Sequence, residues 1–277
     1  MPIITVSRGT MSGGKALAEC VAATLGCPCI AREVLVEGAA KLGVSEEFLR
    51  GRMERSPGLW ERLTAERRTY ILAVQAALAE QVSRHDVVYH GLAGHFLLRE
   101  IPEVLRVRLI APFEMRVKAL MEQRGMAREE AERFIAEVDQ HRSRWTRLMY
   151  DADIDDSRVF DLVVNLEKAS IDSACAVVVA MVQRPEFVID AAARARLVDF
   201  ALACQVRLAL AVQPATRGLE LEVTARDGLV TLTGKVPKPD MLTHASERWM
   251  GELRQVVEEV AGVKRVILDV SVVSAYR

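Results

Sequence analysis

The chain lacks an excess of charge of either sign. Its 277 residues include 37 Lys plus Arg and 38 Asp plus Glu, which leaves a formal net charge of −1. General nucleic-acid binders carry a clear positive excess, so this balance argues against nucleic acid as a partner. The composition, 51% hydrophobic and 27% charged, is ordinary for a soluble protein with packed cores.

Long apolar runs are absent as well. The longest covers residues 174–182 (ACAVVVAMV) and is too short to span a bilayer. The first residues, MPIITVSRG, lack the basic start and the apolar stretch of a secretory signal. We therefore expect a cytoplasmic protein with no transmembrane segment.

The cysteines lack the repeated spacing of a metal site. The pair Cys27 and Cys29 has no second pair, and His90 and His95 do not supply zinc-like spacing. We therefore assign no metal to thiols or imidazoles. The pattern predicts reduced, buried thiols at all five cysteines, which are Cys20, Cys27, Cys29, Cys175 and Cys204.

Over the first two thirds of the chain, short β-rich apolar segments alternate with segments of helical periodicity. This alternation predicts an α/β fold, with a mostly parallel sheet covered by helices on both faces. Strands are predicted at 3–6, 27–30, 86–89, 105–110 and 161–165, and helices at 15–25, 45–53, 59–83, from 112 onward, 128–148 and 171–182.

After residue 185 the pattern changes. Asp227-Gly228 between two alternating segments is a strong hairpin signal, and Gly262 is expected to cap the helix before the last strand. The predicted order is a helix at 191–212, strands at 219–225 and 229–236, a helix at 241–260 and a strand at 263–273. The chain should therefore form two domains, 1–184 and a small α+β (αββαβ) domain at 195–277, joined by a linker at 185–194.

The segment SRGTMSGGKA, residues 7–16, is nearly a phosphate-binding loop. Gly9, four residues, Gly14 and Lys15 follow the motif, but Ala16 stands where Ser or Thr is usual. A glycine turn between a strand and a helix exposes backbone N–H groups to phosphate oxygens, and the lysine adds a mobile point charge. The strand before it and the helix after it favour nucleotide phosphate binding over a purely structural turn.

Several blocks of the sequence, in order, resemble the cytidylate-kinase-like family of P-loop proteins over about residues 3–182. They are ITVSRGTMSGGKALAECVAATLG, DVVYHGLAGHFLL, LRVRLIAPFEMRVKALMEQRGM and AEVDQHRSRW. The resemblance implies a P-loop kinase-like sheet and transfer of a phosphoryl group from ATP to a nucleoside monophosphate, with a CMP-like acceptor. It implies ATP as cofactor, and Mg²⁺ if the protein is active. Such transfer works mostly by positioning and charge neutralisation.

The resemblance also implies a set of site residues. Arginines suit phosphate sites because guanidinium groups bind oxygens in pairs and stay protonated. For Arg142 and Arg144 the alternative, a solvated face of a charged helix, stays open. The implied phosphate cradle comprises Ser7, Arg8, Gly9, Ser12, Gly13, Gly14, Lys15 and Ala16; the catalytic residues are Lys15, Arg142 and Arg144; the acceptor side comprises Arg32, Glu33, His90, Arg116 and Asp139.

Three departures from the family pattern bear on activity. Ala16 and Leu17 offer no hydroxyl for Mg²⁺, Ala31 stands where an Asp is common, and Leu92 replaces an arginine. Losing one charged contact of this kind lowers a rate by about 10²–10³. Two hypotheses therefore stay open, a working kinase and a catalytically degenerate module that senses a nucleotide; a purely structural adaptor is a weaker third.

Substitutes for the missing groups lie nearby in the sequence. Glu33 could replace the missing Asp, Arg32 the missing arginine, and His90 follows a strand where ligands bind in such sheets. Each is equally compatible with a role in the scaffold. The acidic run Asp151, Asp153, Asp155 and Asp156 is interpreted as a solvated loop rather than a metal site.

The last part of the chain, about residues 195–273, resembles a BON domain. The resemblance rests on Asp227-Gly228, Val230-Thr231-Leu232, Gly234 and Gly262-Val263. It implies an interaction module for a protein partner or a membrane surface. Four basic residues could form a weak basic edge for anionic headgroups, although ordinary solubility explains them equally well: Lys235, Lys238, Lys264 and Arg265.

Overall fold

The computed structural model describes residues 2–41, 44–45, 64–91, 93–237 and 243–273. The helix predicted at 45–53 lies outside these residues except for Ser45, as do the start of the helix predicted at 59–83 and Leu92. In chain order the elements are β1 Ile3–Arg8, α1 Gly14–Leu25, β2 Cys29–Ala31, α2 Arg32–Lys41, α3 Thr64–Arg84, β3 Val87–His90, α4 Gly94–Leu97, β4 Val104–Ile110, α5 Phe113–Arg124, α6 Arg128–Tyr150, β5 Leu162–Asn165, α7 Ile171–Val182, α8 Ala191–Val212, β6 Glu222–Arg226, β7 Leu229–Pro237, α9 Thr243–Glu258 and β8 Arg265–Val273.

The first five strands form one parallel sheet in the order β2-β3-β1-β4-β5, which confirms the predicted parallel α/β fold. Successive side chains of a strand point to opposite faces. In β1, Ile3 accordingly packs in a core with α2, α3 and α8, whereas Ile4 packs in a second core with α1 and α7. Both side chains are fully buried, so helices cover both faces of the sheet.

The last three strands form a small mixed sheet in the order β6-β7-β8. Strands β6 and β7 are antiparallel, and β7 and β8 are parallel. Asp227 and Gly228 join the hairpin with φ of 51° and 82°, the left-handed conformation that a two-residue turn requires. The predicted hairpin and the order helix, strand, strand, helix, strand are confirmed.

Helix α8 contributes to two hydrophobic cores. Leu197, Cys204 and Leu208 pack in the core that contains α3, whereas Val206 and Leu210 pack against the C-terminal sheet. The helix predicted to open the second domain is therefore also part of the first core. The predicted domain limits stay a prediction.

Three details differ from the sequence analysis. Cys20 on α1 and Cys175 on α7 form a disulfide, so the prediction of five reduced thiols is wrong for this pair, which is 155 residues apart in sequence. Helix α2 was not predicted, because Gly38 lowers its helix propensity; a Cβ there would lie 3.2 Å from Ala77. Gly262 lies in a turn beyond α9, which ends at Glu258, and is not its cap.

The remaining cysteines carry protonated thiols near neutral pH. Cys27 and Cys29 are half-buried and Cys204 is buried. Burial raises the pKa of all three, to about 12 for Cys204. Within the part of the chain that the structure describes, no helix is both long and apolar enough to cross a membrane.

His95 on α4 is buried among aromatic rings. It is 3% exposed, and its ring centroid lies 4.0 Å from that of Phe96 and 4.5 Å from that of Phe160. Neither ring nitrogen has a partner among the described residues. Burial, followed by the charges of Arg108 and Arg106, lowers the pKa of His95 to about 3.

His95 should make the fold sensitive to acid. The unfolded chain takes up a proton below an ordinary histidine pKa of 6.5, whereas folded His95 does so only near pH 3. The contribution of His95 to the free energy of unfolding is therefore present above pH 6.5 and is lost as the pH falls toward 3. When the pH is lowered from about 7 to about 5, the free energy of unfolding should fall by about 2 kcal/mol more in wild type than in His95→Leu.

Urea unfolding at the two pH values measures this difference. His85→Leu, at an exposed position, is the control and should keep the wild-type difference. An unchanged pH dependence in His95→Leu would show that His95 is protonated in the folded protein.

Candidate nucleotide phosphate site

The glycine loop joins the carboxyl end of β1 to the start of α1. Gly13 caps the helix with φ 77°, and Met11 has a positive φ of 59°. The Ser12 hydroxyl donates to the Gly9 carbonyl across 2.9 Å, which closes the turn. The first N–H groups of a helix have no partner within it, so the start of α1 can bind an anion.

Two glycines of the loop permit close packing. A Cβ at Gly14 would lie 2.3 Å from Cδ of Arg8, because the Arg8 side chain crosses the start of α1. A Cβ at Gly13 would lie 2.9 Å from Cδ1 of Ile171. Arg8 therefore adds a positive charge directly beside the exposed helix end.

The carboxylate of Asp139 on α6 tethers the loop. Its Oδ1 accepts from the Thr10 backbone N–H (3.1 Å) and from the Thr10 hydroxyl (2.7 Å). Its Oδ2 accepts from Nη1 of Arg116 on α5 (2.5 Å), which also donates to the Thr10 carbonyl (3.2 Å). Arg142, one turn further along α6, donates to the Thr10 hydroxyl at 3.0 Å.

These contacts determine the charge of Asp139. Burial acts to raise its pKa, but hydrogen bonds from Arg116 and Thr10 outweigh burial, so the pKa lies below its ordinary value. The carboxylate is therefore ionised near neutral pH and balances part of the positive charge around the loop.

A cavity of about 210 Å³ lies beside the loop, at the carboxyl end of the sheet. Four guanidinium groups and two carboxylates line it, from β1, β4, α5, α6 and the segment after α6. They belong to Arg8, Arg108, Arg116, Arg142, Asp139 and Asp155. This excess of positive charge in a small concave space suits phosphate oxygens.

Arg108 and Asp155 belong to this site, although the sequence analysis missed both. Arg108 on β4 is only 8% exposed; it donates to the Ser7 hydroxyl (3.1 Å) and to Oδ1 of Asp155 (2.5 Å). The side chain of Asp155 is 71% exposed, in agreement with the interpretation of the acidic run as a solvated loop, and it also pairs with Arg108. An arginine near the end of an apolar parallel strand, where ligands bind, was the available signal.

The comparison with protein families agrees with this geometry. The model of the cytidylate kinase-like family matches residues 3–168, which include the loop and all six charged residues of the cavity. This chain belongs to the cytidylate kinase-like family. Membership supports nucleotide binding and phosphoryl transfer as its general chemistry.

Individual relatives in this family show the extent of the likeness. A cytidylate kinase of Pyrobaculum aerophilum is 27% identical over 175 residues, 63% of this chain and 89% of that protein. One of Methanosarcina barkeri is 33% identical over 103 residues, 35% of this chain and 55% of that protein. A crystal structure of an uncharacterized protein from Eubacterium ventriosum shares the fold, with a TM-score of 0.52 at 18% identity over 65% of this chain and 97% of that one.

Two of the expected catalytic residues of this kinase-like site lie away from the cavity. The side chain of Lys15 is 66% exposed, with Nζ 3.6 Å from Oε1 of Glu19 on the same helix. Arg144 lines a separate cavity, because residues two apart on a helix face different sides. Of the expected catalytic set, the structure brings Arg142 to the loop cavity.

The expected acceptor residues are spread along the edge of the sheet. The guanidinium group of Arg32 contacts aromatic side chains. Its Nε donates to the Tyr70 hydroxyl (3.2 Å), and its Cζ lies 5.2 Å from the ring centroid of Trp145. His90 is buried at the end of β3, and its Nδ1 has no partner among the described residues. Burial and the charge of Arg8 lower the pKa of His90, so it is neutral near pH 7. Glu33 is exposed.

The donor groups of the site do not form a protein-held metal centre. Among the described residues, no group of three His, Cys, Asp or Glu side chains is arranged to hold a metal ion. Asp139 and Asp155 each form an ion pair with an arginine, and Ala16 and Ala31 supply no side-chain oxygen. The site therefore fits anionic phosphate groups and does not fit Mg²⁺ bound directly by several carboxylates.

Removing the Asp139 carboxylate should loosen the loop. Asp139→Ala eliminates acceptors for the N–H and hydroxyl of Thr10, and hydrogen bonds to charged groups contribute about 1.5–3 kcal/mol each. Amide exchange in the peptide covering residues 7–17 should become about tenfold faster or more, measured by hydrogen–deuterium exchange.

Asp156→Ala is the matched control, because Asp156 pairs with Arg158 and does not line the loop cavity. Equal exchange rates in Asp139→Ala and wild type would mean that the loop keeps its shape without this tether.

Proposed function

We propose that the protein transfers a phosphoryl group from ATP to a nucleoside monophosphate, with a CMP-like acceptor. One observation carries the proposal: a glycine loop and four guanidinium groups surround a single cavity at the carboxyl end of a parallel sheet. Family membership and relatives named cytidylate kinase support this choice of reaction.

The residues of the loop cavity have distinct roles in this proposal. The amides of residues 13–15 and Arg8 hold donor phosphates at the start of α1. Arg116 and Arg142 approach from α5 and α6 and neutralise charge on the group in transfer, while Asp139 keeps both helices against the loop. ATP supplies the transferable phosphoryl group when bound. No step is assigned to Mg²⁺, because the carboxylates present are paired with arginines.

Buried Arg108 completes the anion site from below the loop. Its guanidinium is held between Ser7 and Asp155, so its position is determined before a ligand binds. Preorganised charge of this kind stabilises a transition state without reorganisation. On the acceptor side, His90 at the end of β3 is neutral near pH 7, so it adds no charge beside the acceptor.

Lys15→Ala should abolish ATP binding at the glycine loop, measured by calorimetry with the full chain as the loss of that site's heat. The lysine side chain is exposed and mobile, so we expect it to leave Glu19 and reach the outer phosphates. Glu122→Ala, on the exposed surface of α5 outside both cavities, should bind as wild type does. Absence of heat with any nucleotide in the wild type, with or without Mg²⁺, would refute nucleotide binding.

Arg142→Ala should lower the rate of phosphoryl transfer by about 10²–10³, the effect of losing one positioned charge. Arg133→Ala removes an exposed arginine from the same helix and should leave the rate unchanged. A coupled assay across the nucleoside monophosphates measures both. Equal rates in Arg142→Ala and wild type would remove Arg142 from the mechanism.

The same assay separates the kinase from the nucleotide sensor. Turnover in the wild type that Lys15→Ala eliminates would exclude a sensor without activity. Binding of ATP with no turnover on any monophosphate would favour the sensor. In that case the double variant Ala31→Asp with Leu92→Arg tests whether these two departures account for the loss.

For the C-terminal unit we propose a BON-like interaction module in a cytoplasmic protein, with domain limits of 1–184 and 195–277. Its three-stranded mixed sheet and αββαβ order support the assignment. A protein partner or a membrane surface is the proposed ligand of this unit.

A further inference from the structure

A second cavity, of about 860 Å³, lies between α3, α6 and α8. It shares no lining residue with the loop cavity, and one of its arginines is on α8, beyond the family match at 3–168. Among the described residues that line it, five are arginines and two are carboxylates. The arginines are Arg67, Arg99, Arg144, Arg147 and Arg207.

Three of these arginines have no partner among the described residues. The side chains of Arg99, Arg144 and Arg147 form neither an ion pair nor a hydrogen bond with the described residues. Arg144 and Arg147 are three residues apart on α6 and so share a face, which Arg99 approaches from the end of α4. Three free guanidinium groups therefore border one concave space.

The other two arginines connect this space to the rest of the fold. Arg67 on α3 donates to the Leu148 carbonyl at 2.8 Å. Arg207 on α8 lies 3.3 Å from Glu100 and donates to the Val223 carbonyl at 3.4 Å. Glu100 is already paired with Arg207, so of the two lining carboxylates Asp151 is the one left to offset the three free arginines.

The remaining lining suits a ligand larger than a simple ion. The rings of Phe96 and Tyr150 are stacked with centroids 5.1 Å apart and form an aromatic wall of the cavity. A volume of about 860 Å³ lies within the range of small-molecule sites, about 300–1,000 Å³. Like charges gathered in a cleft raise the local concentration of anions.

We propose that this cavity binds a polyphosphate-bearing ligand of nucleotide size at the junction of the kinase-like sheet and the C-terminal sheet. The ligand's phosphates pair with Arg99, Arg144 and Arg147. Arg207 lines the cavity and also donates to the Val223 carbonyl on β6. An occupant that contacts Arg207 is therefore linked to the C-terminal sheet as well as to the kinase-like part of the chain. The site is independent of the loop and does not need the proposed transfer reaction.

Calorimetry of the full chain with inorganic tripolyphosphate tests the proposal. In the Lys15→Ala background, where the loop is expected to be inactive, tripolyphosphate should still bind. Adding Arg144→Gln and Arg147→Gln should weaken that binding by about tenfold or more for each guanidinium lost. The control pair, Arg128→Gln and Arg133→Gln, removes the same charge from the same helix outside both cavities and should leave affinity unchanged.

The outcomes are distinct. The variant with Arg144→Gln and Arg147→Gln is called the cavity pair. Loss of binding in the cavity pair but not in the control pair supports the site. Equal affinity in the cavity pair and its background, or equal losses in both pairs, overturns it. No binding in Lys15→Ala itself would place tripolyphosphate at the loop and also overturn it. Arg99→Gln, on a different element, gives a second measurement if circular dichroism shows that the cavity pair misfolds.

Discussion

The Asp139 carboxylate is the interaction on which the phosphate site depends. It accepts two hydrogen bonds from Thr10 and one from Arg116, so a single group connects the glycine loop to α5 and α6. Four guanidinium groups around a cavity of about 210 Å³ would repel one another without carboxylates among them. The site can therefore be strongly positive toward a ligand and still be compatible with folding.

Helix α8 imposes the second constraint. One side packs in the core with α3, and the other side packs against the C-terminal sheet. The two sheets are thus connected by a helix that buries apolar residues on both of these sides. The large arginine-lined cavity exists because α8 carries Arg207 to the side of α3 and α6.

Sequence reasoning recovered the elements whose signals are local. The five parallel strands, the Asp227-Gly228 hairpin and most helices follow from periodicity and turn residues within a few positions. It missed α2, because a glycine that weakens a helix in isolation is tolerated where α2 packs closely on α3. It also missed the Cys20–Cys175 bond, because nothing local connects residues 155 positions apart.

By itself, then, the sequence determined the parallel sheet, the glycine loop at the end of β1 and the family to which the chain belongs. Alternation and glycine spacing are properties of neighbouring residues, and the order of the blocks that resemble the family is read directly along the chain. Tertiary structure alone decided that Arg142 reaches the loop while Arg144 faces another cavity, and that buried Arg108 pairs with Asp155. These outcomes depend on how α6 and the segment after it pack against β4 and the loop, and such packing joins side chains that are distant along the chain.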